Sequence, residues 1–287
     1  MLPQRYPLLL SLCAVLFLAL SACAPAQRQS QLAIFDPAFA ELFPSAKKAL
    51  AKAGYALAVI APEEGSRGLY EAIERAAPDR LIVSPLLAQQ MPAIAKSRPG
   101  LALGALAFEE QSVNGATAVL RFRGVDAART AAEALLREVN DRKSPQREPL
   151  VAAVFAGADA ERRAQAFNGV FLGAMATKLP IVEVSSSDWS SDAVARLQRL
   201  DIALYYVSVP QKELGRWLRE LSSTALGTRS AFIIAESPQV PLEPWHNCDA
   251  IVYWHMEGSI KSLALLLQSP QTEAIDAAGA WQYKKLR

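Results

Sequence analysis

The sequence predicts an α/β protein of two doubly wound, Rossmann-like lobes with parallel sheets joined by a hinge. Three observations carry this. Short apolar strands alternate with helices from residue 31 onward, the alternation runs through two successive rounds, and the most polar stretch of the body, residues 141–149 (DRKSPQREP), separates the rounds. Strands spaced by helices of this length read as βαβ units in a parallel sheet. Such sheets bind ligands outside the carboxyl ends of their strands. Two of them facing one another therefore enclose a cleft, and hinged closure around a ligand is the common use of that geometry.

In chain order, residues 31–35 (QLAIF) form the first strand. Residues 39–53 carry apolar groups at Phe39, Leu42, Phe43, Ala46 and Leu50 and stop at Gly54, the pattern of one amphipathic helix. Strands follow at 55–61, 80–83, 101–108 and 116–122, with helices at 69–76 and 87–95 and a long Ala-rich one at 127–139. The polar stretch reads as a surface connection between the halves. Beyond it, strands are predicted at 150–155, 181–184, 202–207, 231–235 and 251–254, and helices at 161–176, 192–200, 211–221 and 258–267. The first lobe is expected to take residues 31–112 plus about 238–270, and the second about 113–237 plus the C-terminal tail.

The N-terminal residues read as a separate signal. Arg5 is the only charge in residues 1–22, residues 8–20 (LLLSLCAVLFLAL) are almost continuously apolar, and the run ends in Ser21, Ala22 and Cys23. An apolar run this short, closing on small residues, reads as a secretory signal peptide over 1–22 rather than a membrane span. Leu20-Ser21-Ala22-Cys23 resembles the lipobox of bacterial lipoproteins. That resemblance implies lipidation of Cys23 and a membrane anchor; in a Gram-negative cell Ala24 behind the cysteine favours the outer membrane, although solute-binding lipoproteins are also anchored elsewhere. Residues 23–30 form a polar tether. Cys13 leaves with the signal and Cys23 is consumed by lipid, so Cys248 stands alone and no intrachain disulfide can form. The formal net charge is +2, with one charge in the signal. A near-neutral body without a basic run offers no electrostatic case for nucleic acid.

Five segments of the body resemble one family. Asp36-Pro37-Ala38-Phe39, followed by residues 47–55 (KKALAKAGY), is similar to the opening of the type I periplasmic binding proteins, in particular the sugar-binding group related to the lactose repressor's core. There, Asn-Pro-Phe-Phe precedes a helix ending in Gly-Tyr. Leu81-Ile82-Val83-Ser84-Pro85 matches a strand ending in Asn-Pro or Ser-Pro. Residues 124–136 (GVDAARTAAEALL) resemble the helix after the first lobe crossing, and 211–215 (QKELG) the start of the helix bearing Met-Ala-x-Gly. Residues 163–167 resemble Arg-x-x-Gly-Phe, with Ala166 in place of the glycine. No helix-turn-helix precedes the body, so a repressor is not implied.

The resemblance implies a site in the cleft. Asp36 and Phe39 would supply a polar hook and an aromatic wall, and Ser84 a hydroxyl. Glu109 would accept hydrogen bonds from ligand hydroxyls, and Arg163 would reach in from a second-lobe helix. Trp189, in a Ser/Asp-rich loop (SSSDWSSD) with little core to enter, would stack on the ligand face. Val209 replaces an asparagine of the sugar binders, with Ser208 beside it. Glu236 and Ser237 fall near their next aspartate, and Trp254 takes the place of their late glutamine. Fewer polar hooks and one more aromatic point to a flatter or more apolar ligand than a small sugar, such as a nucleoside or aromatic compound. They fit equally a lobe pair that has lost its ligand.

Each residue also has a purely structural reading. Asp36 suits a helix cap, Phe39 core, and Arg163 a pair with Glu161. Trp217 shares helical spacing with Leu214, Leu218 and Leu221, the pattern of core. Signs of catalysis in the sequence are thin, and a hydrolase of envelope material is the weakest of the readings. There is no Gly-x-Ser-x-Gly and no Walker-type loop. Glu63-Glu64 and Glu109-Glu110 are adjacent pairs whose side chains should point apart rather than form an acid–base couple. Residues 63–68 (EEGSRG) read as a surface turn, and His246 and His255 lack metal-ligand spacing. The expectation is a non-enzymatic, lipid-anchored receptor without cofactor or metal. It would capture a sugar, nucleoside or aromatic compound for an ABC importer, with a permease as partner. The alternative is a degenerate binding fold used as an envelope protein-interaction or regulatory lipoprotein.

Overall fold

A computed structural model describes residues 31–142, 148–175, 178–187, 189–222, 231–238, 245, 247–269 and 273–286. The candidate signal, Cys23, the tether and His246 lie outside them. Among the described residues the strands form two six-stranded sheets. The first holds β1 (Gln31–Phe35), β2 (Ala56–Val59), β3 (Arg80–Val83), β4 (Ala102–Phe108), β5 (Ala118–Phe122) and β11 (Ile275–Ala278). Its order is β11-β5-β4-β3-β1-β2, parallel throughout. The second holds β6 (Leu150–Ala156), β7 (Ile181–Ser185), β8 (Ile202–Ser208), β9 (Phe232–Ser237), β10 (Ala250–Trp254) and β12 (Trp281–Lys285), in the order β12-β10-β9-β8-β6-β7. Only β12 runs antiparallel. The first five strands of each sheet follow the same doubly wound order, with a topological switch point between β1 and β3 in one and between β6 and β8 in the other.

Both faces of each sheet are covered, which is why the strands read as nearly continuous apolar runs. On one face of the first sheet lie α1 (Pro37–Leu42), α2 (Pro44–Lys52) and α9 (Met256–Leu266), with Leu50, Ile260 and Leu263 against Phe35, Ile82 and Leu106. The other face takes α3 (Gly65–Ala76) and α4 (Met91–Ser97). In the second sheet, α5 (Gly124–Arg142) and α6 (Ala160–Gly173) bring Leu135, Phe167 and Phe171 onto Phe155 and Tyr206. Opposite them, α7 (Ser191–Gln198) and α8 (Gln211–Ser222) bring Leu197, Trp217 and Leu221 onto Val154, Tyr205 and Val207.

Local chemistry sets the helix ends. Asp36 caps α1, with Pro37 in the first turn, where its missing N–H costs nothing. The expected single helix over 39–53 is two helices, because Pro44 cannot continue α1 and instead opens α2. Gly54, at φ 84°, ends α2 in a conformation that favours glycine. Residues 63–68 are not a surface turn: a short 3₁₀ segment, Pro62–Glu64, leads directly into α3 at Gly65.

The chain passes between the sheets three times: at Arg123, at His255 and at Gly279–Ala280. These crossings correct the boundaries read from the sequence. Residues 118–122 add to the first sheet and residues 250–254 to the second. Residues 141–149 join α5 to β6, both second-lobe elements, and are not the connection between halves. The strands β11 and β12, absent from the sequence reading, complete the far edges of the sheets. All three crossings leave the carboxyl ends of β5, β10 and β11, so the carboxyl ends of the two sheets face each other. The crossings are bonded together: His255 N donates to Ala280 O at 2.8 Å and Ala280 N to Ser259 Oγ at 3.0 Å.

Candidate functional site

The two switch points carry most of the residues singled out from the sequence. In the first lobe, Asp36 follows β1 and Ser84 follows β3. Their side chains meet: Ser84 Oγ donates to Asp36 Oδ2 at 2.6 Å, and Asp36 N donates to Ser84 Oγ at 3.0 Å. Asp36 Oδ1 accepts from Phe39 N at 2.9 Å, the cap of α1. Both residues are buried. The polar groups at this switch point are therefore satisfied within the lobe. Phe39 is core as well, edge-on to Phe35 at 5.0 Å and tilted against Phe43 at 4.8 Å. Beside them the first lobe exposes two large apolar side chains: Leu86 after β3 is 60% accessible and Phe108, the last residue of β4, 44%.

The second-lobe switch point is polar. Arg163, in the first turns of α6, is buried, and its guanidinium lies across the ends of β6, β8 and β9. Nη2 donates to Ala156 O at 2.6 Å and pairs with Asp159 at 3.0 Å. Nη1 donates to Ser208 Oγ and stands 3.9 Å from Glu236 Oε2. Ser208 Oγ and Tyr206 Oη both donate to Glu236, the latter at 2.7 Å. Arg163 Nε is buried without a hydrogen-bond partner among the described residues. Two glycines make room. Gly157, at φ 106°, turns the chain beyond β6. A Cβ on Gly124 would come within 2.8 Å of Arg163 Cδ. The structure thus gathers Arg163, Ser208 and Glu236, while Ser237 is buried at the end of β9. Tyr206 and Asp159 join them unforeseen. The Asp159–Arg163 spacing of four was the one available signal, and it names a different partner from the expected Glu161.

Burial first, and the Glu236 carboxylate second, push the Tyr206 phenol well above its ordinary value of 10.0, and burial raises Tyr205 as well. A phenol raised on folding contributes stability that is complete below its unfolded value and is lost as pH climbs toward the folded one. Stability is expected to stay level on the alkaline approach to about pH 10 and to fall above it. Urea midpoints across that range test this, and an unchanged midpoint beyond it would refute it.

Glu109 stands where the lobes meet. Oε2 accepts from Gly124 N at 3.0 Å, and Oε1 accepts from Arg162 at 2.7 Å. Arg162 also reaches Glu110, at 2.9 Å. The adjacent acids, expected to point apart, converge on one guanidinium because they sit in the turn after β4 rather than in a strand. Arg162 is 56% exposed and Glu109 14%. Arg162→Ala should therefore cost less than about 1 kcal/mol, and less still at high salt. Glu109→Ala should cost more, since it also removes the acceptor of the Gly124 N–H. Urea midpoints of the two variants at low and high salt give the ranking, and the reverse order would contradict it.

Two aromatic candidates lie elsewhere than expected. The Trp189 ring packs edge-on to Trp217 at 4.8 Å, under the Arg216 guanidinium at 4.0 Å. These partners belong to α8, on the face of the second sheet opposite α6, so the loop does have core to enter. Trp217 itself is fully buried. Trp254, the last residue of β10, crosses to the first lobe. Its ring stacks between Phe122 (4.3 Å, 17°) and Phe43 (5.2 Å, 19°), with Phe108 at 5.8 Å and Trp281 at 5.9 Å.

No family model matches the chain, and no curated protein matches it. Solved structures do. One described as an ABC transporter, LacI family transcriptional regulator from Brachyspira murdochii superposes with TM-score 0.54 at 13% identity, covering 90% of this chain and 96% of that one. A solute-binding protein of an ABC transporter system from Aeropyrum pernix K1 gives 0.53 at 14%, covering 89% and 76%. The lactose repressor bound to an anti-inducer gives 0.50 at 12%, covering 87% and 97%. The fold is that of the type I periplasmic binding proteins and the LacI family, with two lobes.

Proposed function

We propose that this chain is a lipid-anchored extracytoplasmic receptor that takes a small molecule between its lobes for an ABC importer. The observation that carries the reading is Arg163. It is a buried guanidinium at the carboxyl end of a doubly wound sheet, held by three strand ends, with one N–H uncommitted. A buried donor without a partner is costly, and a ligand acceptor in the cleft would satisfy it. The similarity to a solute-binding protein and to a repressor bound to an anti-inducer supports small-molecule recognition. The exposed Phe108 and Leu86 and the self-satisfied Asp36–Ser84 pair favour a flat, sparsely hydroxylated ligand, a nucleoside or aromatic compound, over a sugar. Lipidation of Cys23 would hold the receptor beside its permease.

The test is native mass spectrometry of the purified protein for a co-purifying small molecule, followed by a thermal-shift titration with that molecule. Bound ligand and a raised melting temperature are expected. A second reading rests on the first lobe, where Asp36, Ser84, Phe39 and Trp254 all bond or pack within the protein: a binding fold turned interaction or regulatory module. An empty cleft and a melting temperature that no metabolite moves would favour it.

A further inference from the structure

We infer that the face of the first lobe formed by α2 and α9 rests on an anionic lipid surface, an inference that depends on the proposed anchor at Cys23. The placement follows from the topology. The carboxyl ends of both sheets face the hinge, so the amino ends of β1 and β3 lie at the pole farthest from the second lobe. Gln31, the first residue of β1, is at that pole, beside Ala53 and Arg80. Arg80 in turn donates to Leu267 O, next to the end of α9, at 3.1 Å. The chain therefore arrives from the tether at the very end of the α2–α9 pair. Residues 24–30 span at most roughly 25 Å when extended, which holds this pole, and the ends of both helices with it, close to the membrane.

The surface held there has the matching chemistry. A groove of ≈ 390 Å³ lies between α2 and α9, lined by the apolar Ala49, Ala53, Ala264 and Leu265 and by Lys52, Lys261, Glu257 and Gln268. Leu265 is 54% exposed. Lys47 and Lys48 are also exposed on α2. Across the two helices the only acidic residue is Glu257, paired with Lys52 at 2.7 Å. Four lysines against one carboxylate, two of them lining a groove that also holds apolar side chains, suit phosphate headgroups with the start of their acyl chains. A lysine at an anionic surface is worth roughly fivefold in binding.

The full lipidated chain is reconstituted into phosphatidylglycerol–phosphatidylcholine vesicles and into pure phosphatidylcholine vesicles. Amine acylation by a water-soluble reagent is then followed by peptide mass spectrometry. On the anionic vesicles Lys47, Lys48 and Lys261 should label about fivefold more slowly than on the neutral ones, while the second-lobe Lys212 and Lys284 keep their rates. Salt should abolish the difference, and Lys47→Glu/Lys48→Glu should release Lys261. Equal rates on both vesicles, with the lipid mass present on Cys23, overturn the docked face and leave the anchor standing. Absence of lipid on Cys23 overturns both.

Discussion

Arg163→Ala is expected to destabilise the protein by about 3 kcal/mol and to abolish binding of any cleft ligand. The side chain is 9% accessible and serves two carboxylates and two strand-end acceptors at once. Removing it leaves Glu236 and Asp159 without their cation, and Ala156 O and Ser208 Oγ without their charged donor. Breaking a buried pair from one side costs about 3–5 kcal/mol. The low end applies because Glu236 and Asp159 keep 19% and 33% of their side-chain surface in water. Lysine should not rescue, since a single ammonium cannot span Ala156 and Ser208 as the planar guanidinium does. The double variant Arg163→Met/Glu236→Gln separates the two roles. It removes a carboxylate along with the cation, so part of the stability should return, whereas ligand affinity should not. Urea unfolding and ligand titration of the three variants decide the matter. Wild-type stability and affinity in Arg163→Ala would remove the residue on which the proposed site rests.

That Ser208 and Glu236 meet at adjacent strand ends, while the Trp189 ring packs against α8, has a physical cause. A residue at the carboxyl end of an apolar strand is positioned by the strand itself, and strands such as 202–207 and 231–235 are marked by composition alone, whereas Arg163, on a helix, is singled out only by its resemblance to Arg-x-x-Gly-Phe. The Trp189 environment depends on α8, which presents Trp217 and Arg216 from almost thirty residues later, and nothing in SSSDWSSD announces that surface. Sheet membership was hidden for a related reason. Alternation gives the order of strands and helices but not which sheet receives a strand, so residues 118–122 and 250–254 were assigned to the wrong lobes. β12 escaped notice because Gln282, Lys284 and Lys285 leave little apolar signal. It is placed by antiparallel pairing with β10 and by Glu138, which accepts from Tyr283 at 3.3 Å and pairs with Lys285 at 2.5 Å.

Trp254→Ala is expected to cost about 3 kcal/mol, near the lower bound for deleting a packed aromatic, and to loosen the angle between the lobes. The backbone of Trp254 belongs to the second sheet, but its ring is stacked between Phe122 and Phe43 of the first. Any rotation about the crossings at Arg123, His255 and Gly279–Ala280 must slide or separate those rings. Truncation therefore removes both buried area and a mechanical link, whereas Trp254→Phe should retain most of the stack and of the stability. Small-angle scattering, or distance measurements between labels on α3 and α8, should show a broader interlobe distribution for alanine than for phenylalanine. An unchanged distribution in Trp254→Ala would mean that the backbone crossings alone set the angle. The same pair of variants bears on function. A receptor that closes needs its ligand to favour the closed form by more than the hinge resists. Loosening the hinge should thus shift ligand affinity even where the ligand never touches Trp254, and a rigid interaction module has no such dependence.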